Sequence, residues 1–329
     1  MAKSKADGGK TGGAKGAAPK RAARKRAAPK AMKRLQSPDS QRRFSRQARE
    51  AGKKIGLVPT MGAFHDGHLA LIRKSVSQND VTVVSIFVNP LQFGPDEDYN
   101  HYPRDLARDL DRAREVGVDA VFLPEVEDIY PEGFTTKVSV GPLAERLCGA
   151  HRPGHFDGVC TVVLKLLGIV APHRLYLGQK DVQQLVVLER MIADLNVDAR
   201  IVACPTVREK DGLAMSSRNA YLSPAQRAQA PRIYEVLRSA QREILIGGIR
   251  DPQDLRRRMQ AQLTEGTDMR VEYIALVDPE SLEERDVLTG RTLIALAVWL
   301  GQARLIDNLL INVPGGRMAE SMKMARGRR

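Results

Sequence analysis

The sequence predicts an α/β fold, in which a parallel-sheet domain is followed by a smaller α+β domain. Between about residues 55 and 205, short apolar runs alternate with helical patterns of about 10–15 residues, which is typical of β-α-β units. One of these runs, VTVVSIFV at 81–88, is continuously apolar and β-branched, as in a strand buried on both faces. After about residue 205 the pattern changes, because two helical patterns precede three strand-like runs.

The individual elements follow from periodicity and from the glycines that end helices. Gly52 and Gly117 stand where helical patterns stop, a position that favours glycine. In the first domain we predict helices at 42–52, 68–77, 104–116, 158–170 and 181–195, and strands at 55–58, 80–88, 118–123, 175–177 and 199–203. In the second domain we predict helices at 224–245 and 252–264, and strands at 271–277, 292–299 and 303–311.

The chain divides into four predicted parts. Residues 1–31 consist mainly of Ala, Lys, Arg, Gly and Pro, so they cannot bury enough apolar surface to offset the entropy lost on ordering. We therefore predict a disordered basic extension at 1–31, a Rossmann-like domain at 32–205, a C-terminal lid domain at 206–313 and a basic tail at 314–329.

The net charge of +13 is concentrated near the N-terminus. Residues 1–31 carry a net charge of +9 and residues 32–54 carry +6, so residues 55–329 carry −2. Nucleic-acid binding by counterion release is therefore a possibility for residues 1–31 only. The alternative, which we favour, is that this extension is a solubilising or misannotated segment.

The composition gives no sign of a membrane or a secreted protein. The sequence has no run of about 18 apolar residues, which a transmembrane helix requires, and no apolar signal segment at its N-terminus. Cys148, Cys160 and Cys204 are odd in number and lack the spacing of a disulfide framework, as expected for reduced thiols. We therefore predict a cytoplasmic protein whose cysteines are incidental to its chemistry.

The stretch 58–68, VPTMGAFHDGH, predicts an anion site between a strand and a helix. The first N–H groups of that helix lack intrahelical partners and lie at the positive end of its dipole. Gly62 and Gly67 allow the backbone to approach a phosphate, and His65 and His68 can point at the same group. The alternatives are two solvent-facing histidines at a helix start or, less favoured because further ligands are missing nearby, a zinc pair.

Two further stretches place polar side chains at the ends of predicted strands. The amides in 88–94, VNPLQFG, can bind hydroxyl and carboxylate groups, or can simply be polar loop residues. Lys180, at a helix start, is a point charge suited to a triphosphate, and Gln184 lies one helical turn further on the same face. Asp181 is alternatively an ordinary helix N-cap.

The stretch 207–219 predicts a phosphate clamp on a mobile loop. Ser216, Ser217 and Arg218 bring two hydroxyl groups and a guanidinium together, a combination that binds phosphate oxygens. Gly212 and its polar neighbours indicate a loop that could close over ATP. The alternative is a Ser-rich loop that enters a helix.

Several motifs, in this order, resemble those of one enzyme family. The pattern HDGH at 65–68 and the pattern MSSR at 215–218 resemble the two signatures of the nucleotidylyltransferase superfamily. Together with 59–62, 87–93 and 178–184, and with RLIDN at 304–308, they resemble the pantoate–β-alanine ligase (pantothenate synthetase) family over about residues 32–313. The resemblance implies a Rossmann-like ATP-binding domain, a small lid domain and a homodimer.

The resemblance also implies a reaction and a set of site residues. Pantoate, β-alanine and ATP, with Mg²⁺, would give pantothenate, AMP and pyrophosphate through a pantoyl-adenylate. The implied catalytic groups are His65, His68, Lys180 and Arg218, with His68 as the proton donor, and the implied pantoate ligands are Gln92 and Gln184, with Gln92 also bordering the β-alanine site. The implied ATP site comprises Met61, Gly62, Ala63, Phe64, His65, Asp66, Gly67, His68, Gly178, Gln179, Lys180, Asp181, Val207, Met215, Ser216, Ser217 and Arg218.

The sequence departs from the family pattern at a few positions. Gln179 stands where many members have Glu, and Phe64 and Asp66 replace the commoner Leu and Glu. Arg152 and His155 either supplement the phosphate site or only shape their loop. A different adenylyltransferase of the superfamily, which would pass AMP to a phosphate ester, is the alternative enzyme.

Overall fold

The structure is a computed structural model that describes residues 31–95 and 97–315. The predicted basic extension, apart from residue 31, and the predicted tail from residue 316 onward lie outside the described residues. The α/β class is confirmed, because a six-stranded parallel sheet is followed by a separate three-stranded antiparallel sheet.

The N-terminal module contains the parallel sheet, whose strand order is β1-β4-β3-β2-β5-β6. Its strands are β1 (Lys33–Leu35), β2 (Ile55–Thr60), β3 (Val81–Ile86), β4 (Ala120–Phe122), β5 (Arg174–Gly178) and β6 (Arg200–Cys204). Its helices are α1 (Pro38–Glu50), α2 (Asp66–Gln78), α3 (Leu106–Glu115), α4 (Val126–Ile129), α5 (Pro142–Glu145), α6 (Cys148–His151), α7 (His155–Val170) and α8 (Val182–Asp194).

The strand order places the switch point of the sheet beside β2. The chain runs from β2 to β3 and then to β4 on one side, and it returns to place β5 on the other side of β2. In open parallel sheets, ligands bind at the carboxyl ends of the strands that flank such a switch point. The stretches after Thr60, Ile86 and Gly178, which the sequence singled out, all begin at this edge.

Packing explains why these segments form the module. Strand β2 is buried from Ile55 to Val58, and strand β3 is buried from Val81 to Ser85, because helices cover both faces of the sheet. Helix α7 has eleven buried residues among sixteen, so it lies inside the core rather than on its surface. Cys148, Cys160 and Cys204 are all buried and unpaired.

The C-terminal module packs its antiparallel sheet between two layers. It comprises α9 (Pro224–Gln229), α10 (Arg232–Leu245), α11 (Pro252–Thr264), β7 (Met269–Val277), β8 (Gly290–Leu300) and β9 (Ala303–Val313). One face of the sheet packs on α10 and α11. On the other face, an apolar cluster packs against the N-terminal module and contains Ala275, Val277, Leu293 and Ala295 with Leu143, Leu147, Val182 and Val186.

Some predicted elements are wrong in detail. The single helix expected at 224–245 is two helices, because Pro231 has no N–H to continue the hydrogen-bond ladder. The next turn restarts with a bond from Ile233 N–H to the Ala230 carbonyl at 3.2 Å. The edge strand β1 and the four-residue helices α4, α5 and α6 are not in the prediction, since such short segments carry no periodicity. Within the described residues, no helix is long and apolar enough to cross a membrane.

Candidate active site

The turn between β2 and α2 brings His65 and His68 together through reciprocal helix capping. His65 is the N-cap of α2, and its Nδ1 accepts a hydrogen bond from Gly67 N–H at 3.1 Å. His68 Nδ1 accepts from His65 N–H at 3.3 Å, and the two ring centroids are 4.1 Å apart. Because each Nδ1 accepts, each neutral ring carries its proton on Nε2 and can donate from that atom.

Electrostatics keep both imidazoles neutral. Burial, with the nearby charge of Lys180, lowers the pKa of His65 to about 4. Burial, with the charges of His65 and Lys180, lowers the pKa of His68 to about 3. Lys180 is therefore close enough to act on both rings, although it follows a different strand. At neutral pH the pair presents hydrogen-bond donors without a formal charge.

Gly67 makes this arrangement possible for a steric reason. A Cβ atom at this position would lie 2.7 Å from Cε1 and 2.8 Å from Nδ1 of the His65 ring, which real structures do not tolerate. The same Cβ position is 3.8 Å from Cβ of Met215, so the second predicted motif lies beside the first. The two superfamily-like signatures are thus adjacent in space, although about 150 residues separate them in sequence.

The preceding loop is held by helix α3, which the sequence analysis did not connect with the site. The buried carboxylate of Asp109 accepts from Ala63 N–H at 2.8 Å and from Phe64 N–H at 2.7 Å. Arg112 donates to the Phe64 carbonyl at 2.6 Å. Gly62 adopts a φ of +88°, where a side chain would be strained and would approach Asp109. No local pattern marks Asp109, since it lies on an ordinary amphipathic helix.

The stretch after β3 forms an amide network around Asn89. Asn89 is buried, and its Nδ2 donates to Gln92 Oε1 and to the Gly158 carbonyl, both at 3.1 Å. Tyr130 donates to Asn89 Oδ1 at 2.7 Å. Gln92 Nε2 contacts Met61 Sδ at 3.3 Å, which joins this stretch to the loop after β2. The orientation of the Gln92 amide is therefore fixed by its neighbours.

Arg152 and His155 bind the same loop from the start of α7. His155 Nδ1 and Arg152 Nη2 both contact the Gln92 carbonyl, at 2.7 and 3.2 Å. Arg152 also forms a bidentate ion pair with Glu97, with its Nε 2.6 Å from Oε1. Burial, with the charge of Arg152, lowers the pKa of His155 to about 4. These contacts favour the loop-shaping interpretation of Arg152 and His155.

Lys180 and Gln184 open onto a cavity of about 1320 Å³ between the two modules. Its walls include Gln92, Asp181 and Arg218, and also Trp299 and Arg304 from the C-terminal sheet. That volume exceeds the usual range for one small ligand, about 300–1,000 Å³. Gln183 also lines the cavity, but its amide is bonded within the protein, to the Cys148 N–H and to the carbonyls of Leu143 and Arg146.

The loop 207–218 is tied to itself and to the loop after β3. Met215 N–H donates to the Val207 carbonyl at 3.0 Å, which closes a hairpin-like turn around Gly212. Arg218 donates to Asp98 Oδ1 at 2.8 Å, and Ser217 Oγ lies 3.2 Å from the Tyr102 hydroxyl. The predicted phosphate clamp is therefore occupied by a carboxylate from the protein itself.

The structure brings most predicted site residues to one edge of the sheet, but not all into one cavity. Lys180, Asp181, Gln92, Gln184, Ser216 and Arg218 line the cavity, whereas His65 and His68 lie beside it and do not. The side chains of Asp66 and Gln179 are exposed. Sequence reasoning assigned no site role to Asp98, Asp109, Arg112, Glu272, Trp299 and Arg304, all of which reach the site from distant elements.

Comparison with known proteins assigns the chain to a family. A sequence profile described as Pantoate-beta-alanine ligase matches residues 33–310. The pantothenate synthetase of Thermotoga petrophila is 49% identical over 280 residues, covering 85% of this chain and 100% of the relative. That of Thermosipho africanus is 51% identical over 280 residues, with the same coverage.

Solved structures agree with this assignment. The pantothenate synthetase of Thermus thermophilus aligns with a TM-score of 0.79 and 45% identity, over 84% of this chain and 99% of that one. The Francisella tularensis pantoate–β-alanine ligase, solved in complex with beta-gamma ATP and β-alanine, aligns with a TM-score of 0.71 and 37% identity, over 85% and 98%. This chain therefore belongs to the pantoate–β-alanine ligase family of enzymes.

Proposed function

We propose that this enzyme joins pantoate to β-alanine in an ATP-dependent reaction that passes through a pantoyl-adenylate and releases AMP and pyrophosphate. Membership of the family supports the formation of pantothenate from pantoate and β-alanine. The Francisella relative, which binds beta-gamma ATP and β-alanine, supports ATP as co-substrate. The observation that carries the adenylation step is the neutral His65–His68 pair beside Lys180 and the Met215 loop.

In the first step, a carboxylate oxygen of pantoate attacks the α-phosphorus of ATP in line. The new P–O bond forms as the bond to the bridging oxygen breaks, and pyrophosphate leaves with that electron pair. Such a step needs positioning and charge stabilisation more than a protein nucleophile. His65 and His68 would donate from Nε2–H to phosphate oxygens, and the ammonium of Lys180 would offset the growing negative charge.

The low pKa of His68 refines its proposed role. A group with a pKa of about 3 is neutral at physiological pH, so it acts as a hydrogen-bond donor and not as a reservoir of free protons. The product of the first step is a mixed anhydride, which needs no proton from the enzyme to form. The capping bond at Nδ1 would keep the Nε2–H of His68 directed at the phosphate while negative charge develops there.

In the second step, the amine of β-alanine attacks the acyl carbon of the adenylate. A C–N bond forms, the C–O bond to AMP breaks, and the amine nitrogen loses a proton to solvent or to the departing phosphate. The amides of Gln92 and Gln184 are suited to hold the hydroxyl and carboxylate groups of pantoate, because amides both donate and accept. The cavity volume is consistent with several reactants bound at once.

Mg²⁺ would enter with the triphosphate. Within residues 31–95 and 97–315, no group of three His, Cys, Asp or Glu side chains could hold a metal ion by itself. Protein sites that use Mg²⁺ with nucleotides often supply only one or two carboxylates, and the phosphates supply the rest. Asp181, in the cavity wall with its Oδ1 4.0 Å from Lys180 Nζ, is one carboxylate that could contribute. The ion would neutralise charge on the phosphates.

The Asp98–Arg218 pair suggests how nucleotide binding is coupled to the loops. Arg218 is a proposed pyrophosphate ligand, yet its guanidinium is bonded to Asp98. A polyphosphate carries more charge than one carboxylate, so it would displace Asp98 and free the loop that bears it.

The proposal also includes closure of the 206–313 module as a lid, a homodimeric state and a cytoplasmic location. It further includes a disordered extension at 1–31 with at most weak nucleic-acid binding.

Pyrophosphate release tests the proposal directly. ATP and pantoate without β-alanine should give about one pyrophosphate per active site and an enzyme-bound adenylate. Later addition of β-alanine should give pantothenate, AMP and continuous turnover. Pyrophosphate that appears only after β-alanine is added would rule out the two-step route, and an adenylyl group retained on an acceptor would indicate the alternative adenylyltransferase.

A further inference from the structure

Two adjacent residues of strand β9 reach both loops that carry the proposed phosphate ligands. The Asn308 side chain is buried, and its Nδ2 donates to the carbonyls of Gln179 and Lys180, each at 2.9 Å. Asp307 forms a bidentate ion pair with Arg208, with Oδ1 2.9 Å from Nη2 and Oδ2 2.5 Å from Nη1. Arg208 begins the loop that leads to Ser216 and Arg218.

The two residues are also connected to each other. Asp307 Oδ1, which accepts from Arg208, also accepts from the backbone N–H of Asn308 at 2.8 Å. Arg208 in turn stacks on Tyr234, with its guanidinium carbon 3.7 Å from the ring centroid. The Asn308 backbone is therefore fixed by a buried charge pair, which restricts where the amide can point.

The contact made by Asn308 crosses between modules. Gln179 and Lys180 belong to a three-residue 3₁₀ turn that follows β5, whereas Asn308 belongs to the C-terminal sheet. One amide that bonds two successive carbonyls fixes the peptide plane between them, and so the direction in which the Lys180 side chain leaves the backbone. A change of that direction would move the Lys180 ammonium within the cavity that it lines.

The alternative is that Asn308 serves only to hold the two modules together. Other contacts at the interface argue against that role. The modules already meet through the apolar cluster around Val277 and Leu293, which packs against Leu143 and Val182. Arg146 adds an ion pair to Glu283 at 2.8 Å. These contacts hold the modules together without Asn308, whose side-chain amide donates to the turn that carries Lys180 and whose residue also lines the cavity.

We propose that Asn308 is a positioning residue, through which the C-terminal module sets the orientation of Lys180 for adenylation. The proposal rests on the function proposed above, since Lys180 acts there on the transferring phosphate. It predicts that adenylation is fast only when β9 is docked on the 179–180 turn. The C-terminal module would then assemble the site as well as cover it.

The test compares Asn308→Ala and Asn308→Asp in the full chain. Loss of the amide should slow single-turnover pyrophosphate release about 10- to 100-fold, with KM for pantoate unchanged, because a small misplacement of a catalytic group is costly. The Asp variant, nearly identical in shape, should be slower than the Ala variant, since a carboxylate would face two carbonyl oxygens. Asn79→Ala is the matched control, because Asn79 Nδ2 also makes two 2.8 Å bonds, to Ser75 and Tyr176, at the opposite edge of the sheet.

A double-mutant cycle separates positioning from general stability. Combined with Lys180→Ala, Asn308→Ala should cause no further loss of rate, because the residue through which it acts is gone. An equal loss in both backgrounds, a wild-type rate for Asn308→Ala, or a similar loss for Asn79→Ala would each overturn the proposal. If the wild-type enzyme itself released no pyrophosphate from ATP and pantoate, the proposed function would fail first. Thermal melting of each variant identifies any that is unfolded.

Discussion

His68 Nδ1 accepts a hydrogen bond from the backbone N–H of His65, and this single contact fixes both the start of helix α2 and the tautomer of a proposed catalytic ring. Histidine is an unusual residue on both sides of a capping box, where Ser, Thr, Asp or Glu are the common choices. The helix start thereby gains two caps that also offer Nε2–H donors. Structural and chemical functions are combined in the same pair of side chains.

Replacing His68 by Ala should slow adenylation far more than it weakens ATP binding. A donor that acts mainly in the transition state lowers kcat when it is lost, by about 10²–10³ for one such group. Pre-steady-state pyrophosphate release measures the rate, and equilibrium titration measures ATP affinity. His68→Asn provides the control, because the Asn amide can restore the helix cap but does not reach as far as the Nε2–H of His68. A variant with normal adenylation but weak ATP binding would contradict the assignment.

Short sequence patterns indicate the predicted active-site residues. His65, His68 and Lys180 lie just after apolar strands and at helix starts, so spacing alone indicates their positions. Asp109 carries no such pattern, and the RLIDN stretch that contains Asn308 indicates no site role for it, because the role of each residue depends on which helix or strand the fold brings to the loop. The same limit applies to β1, whose three residues are a strand only because β4 pairs with them.

Asp109 should prove necessary for the loop before α2, although it has no proposed contact with substrate. Asp109→Ala leaves the N–H groups of Ala63 and Phe64 without their buried acceptor. We expect about 1–3 kcal/mol of lost stability and a lower kcat/KM for ATP, because the histidine turn would lose its anchor. Asp111→Ala is the control, since this exposed residue lies on the same helix and pairs only with Arg114 among the contacts described. Equal behaviour of the two variants would refute the anchoring role.

Three partly buried histidines should make the protein less stable in mild acid. The pKa values of His65, His68 and His155 are lowered to about 4, 3 and 4, below the ordinary value of 6.5. At pH values between these lowered pKa values and 6.5, the unfolded state binds more protons than the folded state. The free energy of unfolding therefore falls as the pH falls from about 6.5 towards 4. Urea unfolding at several pH values measures this. His155→Gln should reduce the slope by up to about 1.4 kcal/mol per pH unit, and an unchanged slope would contradict the lowered pKa.

Gln183 and Gln184 both line the cavity, but the Gln183 amide is bonded within the protein, so their Ala variants should separate binding from stability. Gln184 lines the cavity, so its loss should raise KM for pantoate about tenfold or more while leaving the melting temperature near that of the wild type. Gln183 joins α8 to Leu143, Arg146 and Cys148, so its loss should lower the unfolding free energy by about 1–3 kcal/mol and change pantoate binding little. Initial rates at varied pantoate, with thermal melting, measure both. The reverse pattern would show that the pantoate site lies elsewhere.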